Sequence, residues 1–313
     1  GQWFRGPSAD LGHEISQSVR FQGPQRMVGP DAMPTGNFTV SFWYKRAIGP
    51  NSTQTFLMFA PNQAYQLYPT SGVNKLHSRR GGSVGTALTG GLDDHAAWYH
   101  IVLVNTSGTT TCYVNGVLQS GTEATPSGSS TMTIGSNGNS YQDDRLSGYL
   151  AEFNLLDGQT LAATNFGRFN DDNIWVPIEL SFTSAQYGDR GFRLTFDSTQ
   201  SSGIGTDSAP TGTGHAAANN FTGTDFETTA LSNSNFDNDI DYLDTPTNNV
   251  PTWNPLIKTE TSTVFGDANL EIIDSNGSYP NVMPGTAILR GKSYWEIEYV
   301  NTPSGYPYLG LAT

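Results

Sequence analysis

Cysteine, basic residues and helical periodicity are all scarce in this chain, and each scarcity closes off a class of protein. Cys112 is the single cysteine among 313 residues, so no intrachain disulfide can form. It stands in the apolar stretch TCYV (111–114) and is read as a small buried hydrophobe rather than a reactive thiol. Lys and Arg number 15 against 28 Asp and Glu, a net charge of −13. The densest basic clusters, Arg79–Arg80 and Arg290–Lys292, are too small for a nucleic-acid footprint, so no nucleic-acid partner is expected. On the same ground acidic carbohydrate is a poor partner, and neutral glycans remain open. No apolar run is long enough to span a bilayer and no signal-peptide pattern is present, so no membrane insertion is expected. No window keeps apolar residues at helical spacing for more than about three turns. Phosphate-loop and nucleophile-elbow patterns are missing too: GIGTDSAPTGTG (203–214) is Gly-rich but lacks the lysine.

What is present favours short strands joined by turns. Gly occurs 35 times and Pro 17 times, and only 14% of residues are charged. NFTVSFWYKR (37–46) alternates, with Phe38, Val40 and Phe42 on one side and Thr39, Ser41 and Trp43 on the other. TFLMFA (55–60), AYQLYP (64–69) and KLHSRR (75–80) are further strands bounded by turn residues. Trp98–Val104 is nearly continuous in apolar residues, the pattern of a strand buried on both faces. Ser107–Gly108 and Asn115–Gly116 supply turns, the second of type I′ because both central residues must take positive φ. TMTIGS (131–136) and LSGYLAEFNLLDG (146–158) complete a first all-β unit. TLAATNFGRF (160–169) is expected to form one short helix. A polar tract from 198 to 250 follows the strand GFRLTFD (191–197) and is too poor in apolar residues to fold alone, so it is expected to gain order by docking on a partner. NLEIID (269–274), TAILR (286–290) and SYWEIEYV (293–300) begin another set of strands. The resulting division is an arm over 1–17, a sandwich over 18–165, a connecting segment over 166–261 and the start of a second β domain over 262–313.

Three motifs in order carry a resemblance. WYHI (98–101), YVNG (113–116) and GYLAE (148–152) are similar to the signature strands of the laminin-G-like, or concanavalin A-like, jelly roll, over roughly residues 16–165. GKSYWEIEYV (291–300) with YLGLAT (308–313) resembles the opening of a SPRY-like domain. The combination, with LDGQTL (156–161), Phe166–Gly167 and DTPTNN (244–249), resembles structural proteins of marine tailed bacteriophages. That resemblance implies a tail fibre, or a capsid- or tail-attached appendage of the virion, assembled in the host cytoplasm and acting by assembly and host-surface adhesion. It implies partners among copies of the chain itself, a homo-oligomer such as a trimer, other virion proteins and a host-surface glycan. The fold class expected is an all-β antiparallel jelly-roll sandwich with an extended linker segment and a second, partial β domain.

The jelly-roll class holds lectins and glycoside hydrolases, so both chemistries have to be weighed. A glycosidase needs two carboxylates about 5–9.5 Å apart. Glu296 and Glu298 alternate on a strand but fall in the SPRY-like segment, and no catalytic residue is assigned. The chain is read as a non-enzyme, with a stand-alone lectin-like protein and a jelly-roll hydrolase as the alternatives. Lectins of this class use loop Asn and Asp with an aromatic that stacks on a sugar; Tyr65, Tyr68, Asn137, Asn139 and Tyr141 are the residues that fit. No cofactor is required, but calcium is a candidate at Asp93, Asp94, Asp143 and Asp144, acid pairs in loops beside core strands. His100 has no His or Cys at ligand spacing and is read as structural.

Overall fold

The computed structural model describes residues 10–224 except 23–24, 31–32, 35, 48–52, 71, 82, 129–130 and 138–143, together with 240–241, 244–258, 264–266, 269–273 and 282–284. It is almost entirely antiparallel β structure. The first strands are β1 (Ser18–Gln22), β2 (Arg26–Val28), β3 (Phe38–Arg46), β4 (Gln54–Ala60), β5 (Gln63–Thr70), β6 (Val73–Arg80) and β7 (Ser83–Ala87). They are followed by β8 (Trp98–Thr106), β9 (Thr109–Val114), β10 (Val117–Ala124), β11 (Thr133–Ile134) and β12 (Ser147–Asp157). The later strands are β13 (Gly167–Phe169), β14 (Trp175–Pro177), β15 (Phe192–Leu194), β16 (Thr222–Thr224) and β17 (Ile240–Asp241). Sheet A runs β10-β9-β8-β3-β12-β1-β17, with β15 also on β12; sheet B runs β16-β2-β11-β4-β5-β6-β7. Non-consecutive neighbours such as β8-β3-β12-β1 make this the expected jelly-roll sandwich.

Alternation decides which side chains meet between the sheets. Phe38, Val40, Phe42 and Tyr44 of β3 join Ile101, Leu103, Phe153 and Leu155 of sheet A, and Phe56, Phe59, Tyr65 and Leu67 of sheet B, in one core. Phe42 stacks on Phe153 at 4.8 Å and meets Phe56 across the sandwich at 5.1 Å. Every residue of β3 is buried, however, including the outward set. The cause is a second layer. Trp43, Trp98, Val102, Tyr149 and Ala151, on the outer side of sheet A, pack against Ile15 of the arm and against Ala163, Phe166, Trp175, Tyr187 and Ala209.

The described part of the polar tract, 198–224 and 244–250, packs on the sandwich itself, where order from docking on a partner was expected. The preceding strand β15 adds to β12; Phe192, Leu194 and Phe196 enter the inner core, and Ile204 and Phe221 of the tract join them there. The chain then reaches β2 of the opposite sheet through β16, so residues 191–224 run from one sheet to the other. Hydrogen bonding adds to that apolar burial in holding it. Asp207 accepts from the backbone N–H groups of Arg193 (2.9 Å), Ala209 (2.9 Å) and Asn219 (2.7 Å), and faces His215 Nε2 at 3.1 Å. The DTPTNN stretch docks likewise. Fully buried Lys45 donates to Asp244 Oδ2 (2.7 Å), Asn249 Oδ1 (2.8 Å) and the Val250 carbonyl (2.7 Å), satisfying all three ammonium donors. Asp244 Oδ1 accepts from the Trp98 indole at 2.9 Å.

Two local expectations differ in detail. TLAATNFGRF forms a single 3-10 turn at Ala163–Asn165 and then enters β13, rather than one helix. Within 262–313 the described residues form one short pair, Val264–Gly266 with Glu271–Ile273, and Val282–Pro284 pairs with Trp253–Lys258 across the expected boundary at 261. The SPRY-like motifs at 291–313, with Glu296 and Glu298, lie outside the described residues.

Candidate functional site

Two outward faces could carry chemistry, and they differ in what covers them. On sheet A a small cleft remains beneath the second layer, lined by His13, Ser41, Trp43, His100, Glu152 and Arg193 among others. Glu152 sits in a β-bulge, where the register between β12 and β3 shifts from Ala151 to Asn154, and its φ of 48° is in the left-handed region. Arg193 Nε holds its Oε1 at 2.6 Å. Ser41 Oγ lies 2.9 Å from His100 Nε2, the spacing of a nucleophile and its base. The tautomer argues otherwise. The Trp175 indole N–H, a donor only, gives its proton to His100 Nδ1 at 3.0 Å. Nδ1 is thus the acceptor, Nε2 carries the hydrogen, and the imidazole donates to Ser41 instead of withdrawing its proton. Burial pushes the imidazole down to about 3, so it stays neutral at physiological pH. His100 and buried Cys112 are core residues, as expected from the sequence.

The outer face of sheet B carries a polar cluster. Asp144 Oδ2 accepts from Gln66 Nε2 (2.9 Å), Arg79 Nη1 (2.8 Å) and Asn137 Nδ2 (2.9 Å). Gln66 also donates to Thr55 Oγ1 at 2.9 Å, and the Asp144 carbonyl accepts from Thr55 N–H at 2.8 Å. Asn62 N–H donates to Asn137 Oδ1 at 3.2 Å. Antiparallel register sets Gln66 opposite His77 and Tyr68 opposite Lys75, so these four project from the same face. Tyr68 is half-buried, its ring edge-on to His77 at 5.6 Å.

Of the residues singled out by sequence, the structure brings Asn137 and Asp144 together and sets Tyr68 on the same face. Tyr65 is placed differently: alternation turns it inward, its ring meets Phe59 at 5.9 Å, and its hydroxyl bonds Thr110 at 2.7 Å inside the core. It offers no ring face to a sugar. Asn139, Tyr141 and Asp143 lie outside the described residues. Asp93 is matched by Arg46 Nη1 at 2.7 Å and by Asn74 Nδ2 at 2.8 Å, while Asp94 Oδ1 accepts from Ala96 N–H at 2.8 Å. A guanidinium therefore stands where calcium was expected at Asp93, and another at Asp144. No group of His, Cys, Asp or Glu among the described residues is placed to hold a metal ion. Thr55, Asn62, Gln66 and Arg79 escaped sequence reasoning. The alternation of Lys75, His77 and Arg79 was the available signal for a shared face.

Residues 22–164 match the profile of the Laminin_G_3 family, described as the concanavalin A-like lectin/glucanases superfamily, and the antiparallel sandwich that these residues form agrees with that match. No curated protein matches the chain. Among solved structures, a candidate carbohydrate-binding protein from Bacteroides ovatus is 14% identical, with a TM-score of 0.41 over 68% of this chain and 59% of that one. Domain 4 of the GH43 extracellular arabinanase AbnA from Geobacillus stearothermophilus, in complex with arabinotriose, is 20% identical, with a TM-score of 0.30 over 42% of this chain and 65% of that one. Trypanosoma rangeli sialidase is 16% identical, with a TM-score of 0.32 over 41% of this chain and 22% of that one. The chain spans less than two thirds of the length of each.

Proposed function

We propose that the jelly roll is a carbohydrate-binding module that engages glycan on the outer face of sheet B. The observation that carries this reading is the Asp144–Arg79–Gln66–Asn137 cluster, set on one face with the half-buried Tyr68 ring. Planar amide, carboxylate and guanidinium groups suit the paired hydroxyls of a sugar, and an aromatic ring suits its apolar face. The family profile, which joins lectins and glucanases, supports the same class. Binding is favoured over hydrolysis because the sheet A cleft is lined by a single carboxylate, Glu152, already paired with Arg193, where hydrolysis needs two. On a glycan array followed by calorimetry, the chain should bind at least one oligosaccharide. Tyr68→Ala should weaken that binding about tenfold, an aromatic contact of about 1–1.5 kcal/mol. An empty array, or full affinity in Tyr68→Ala, would sink the proposal.

The resemblance to phage appendage proteins suggests a setting in which a virion displays this module to a host surface. Mass spectrometry of purified particles tests that setting, and the protein's absence from them would remove it.

A further inference from the structure

We infer that the β5–β6 face takes a carboxylated glycan, a short uronate-bearing oligosaccharide, in preference to a neutral one. This deepens the carbohydrate-binding reading of the same face and rests on it.

Net charge conceals how the cations are distributed. Lys45, Arg46, Arg168 and Arg193 are each matched by a carboxylate, from Asp244, Asp93, Asp10 and Glu152. Strand β6, VNKLHSRR, carries Lys75, Arg79 and Arg80 and no acid of its own. Asp144 answers Arg79, whereas Lys75 and Arg80 have no ion pair among the described residues. The nearby acids are engaged by other groups: Asp93 holds Arg46 and Asn74, and Glu123 of β10 bonds Thr86 of β7. Among the described residues, a strongly acidic chain thus leaves unmatched positive charge on the element that also builds the polar cluster.

The arrangement is suited to a sugar acid rather than to a bare anion. Lys75, His77 and Arg79 alternate and share the outer face, with Lys75 and Arg79 about 13 Å apart along the strand. Tyr68 is the cross-strand partner of Lys75, so the Lys75 side chain leaves the sheet next to a residue whose ring can take a pyranose face. His77 acts as a spacer, its nitrogens facing the Gly85 carbonyl at 2.9 Å and Thr70 Oγ1 at 3.3 Å. At the base, fully buried Gln66 donates to Asp144 and Thr55 and fixes the carboxylate that in turn holds Arg79. A carboxylate would be held by charge-assisted bonds from Lys75 or Arg79 while the ring stacks. A long polyanion such as DNA needs many phosphate contacts and would meet the net charge of −13 beyond this strip.

Calorimetry on the full chain with trigalacturonate and with its neutral counterpart, galactotriose, tests the inference. The acid should bind about tenfold more tightly at low salt, with the gap closing near about 0.5 M NaCl. Lys75→Ala should remove that preference without lowering the melting temperature, and Tyr68→Ala should weaken both sugars. Equal affinity for the two sugars, unchanged in Lys75→Ala, overturns the charge preference and leaves carbohydrate binding standing. Binding of neither sugar together with an empty glycan array removes the underlying reading. Duplex DNA bound as tightly as the uronate overturns sugar recognition at this face.

Discussion

Single buried ionisable residues show how this molecule trades charge for packing. His100 is aligned with Ser41 in a way that invites a catalytic reading, and the Trp175 proton alone reverses it. Burial pushes His100 down to about 3; burial and then the Arg46 charge push His95 down to about 4. Both values lie below the ordinary 6.5, so between pH 6.5 and about 4 the unfolded chain binds protons that the folded chain refuses. The stability these residues contribute is fully present above pH 6.5 and is lost as pH falls through that window. Urea unfolding between pH 6 and 5 should show each histidine contributing about 1 kcal/mol per pH unit to the slope. His95→Gln should reduce that slope by its share, and an unchanged slope would show that the imidazole is protonated in the folded state. Partner identity at this scale was not legible in the sequence. Asp93 and Asp144 looked like metal ligands because their cations, Arg46 and Arg79, are 47 and 65 residues away.

Hairpins and strands were far more legible, because period and turn chemistry are local. The outward and inward sets of β3 were readable from alternation, and Asn115 and Gly116 take the positive φ values, 47° and 79°, that their turn demands. The same alternation, applied to AYQLYP, would have turned Tyr65 inward with Leu67 and left Tyr68 outward. What alternation could not reveal is that an outward set is covered as well. The β9–β10 turn shows the consequence, since a Cβ on Gly116 would lie 2.3 Å from the Trp175 ring of the docked layer. Gly108, in the β8–β9 turn, has a similar φ of 82° but open space around it. Gly108→Ala should therefore cost about 1–2 kcal/mol from backbone conformation alone. Gly116→Ala should cost distinctly more, because the indole must also shift. Chemical denaturation of the two variants measures the difference, and equal losses would mean that Trp175 is not seated on the turn.

At the scale of the whole molecule, the family profile and the folded unit have different boundaries. The profile stops at residue 164, because its motifs lie on strands of the sandwich. Composition places the same boundary, since the following tract is polar and shows little periodicity. Yet the connecting segment, 166–261, supplies Phe192, Leu194, Phe196, Ile204 and Phe221 to the inner core, and Phe166, Trp175 and Tyr187 to the outer one. Its anchoring depends on single side chains such as Asp207 and Asp244 that gather distant donors, a signal with no period to detect. A fragment ending at residue 165 would uncover Trp43, Trp98 and Val102 and leave β12 without β15. Such a fragment should aggregate or retain strand signal without fixed near-ultraviolet dichroism, binding a hydrophobic dye. Supplying residues 166–258 as a separate chain should restore a cooperative melt, because apolar packing and hydrogen bonds hold that segment against the sandwich. If residues 18–165 alone melt cooperatively within about 5 °C of the full chain, the second layer is an ornament on a self-sufficient sandwich. A collapse of that fragment, reversed by the added segment, would instead make the folding unit extend well beyond the jelly roll that its motifs announce.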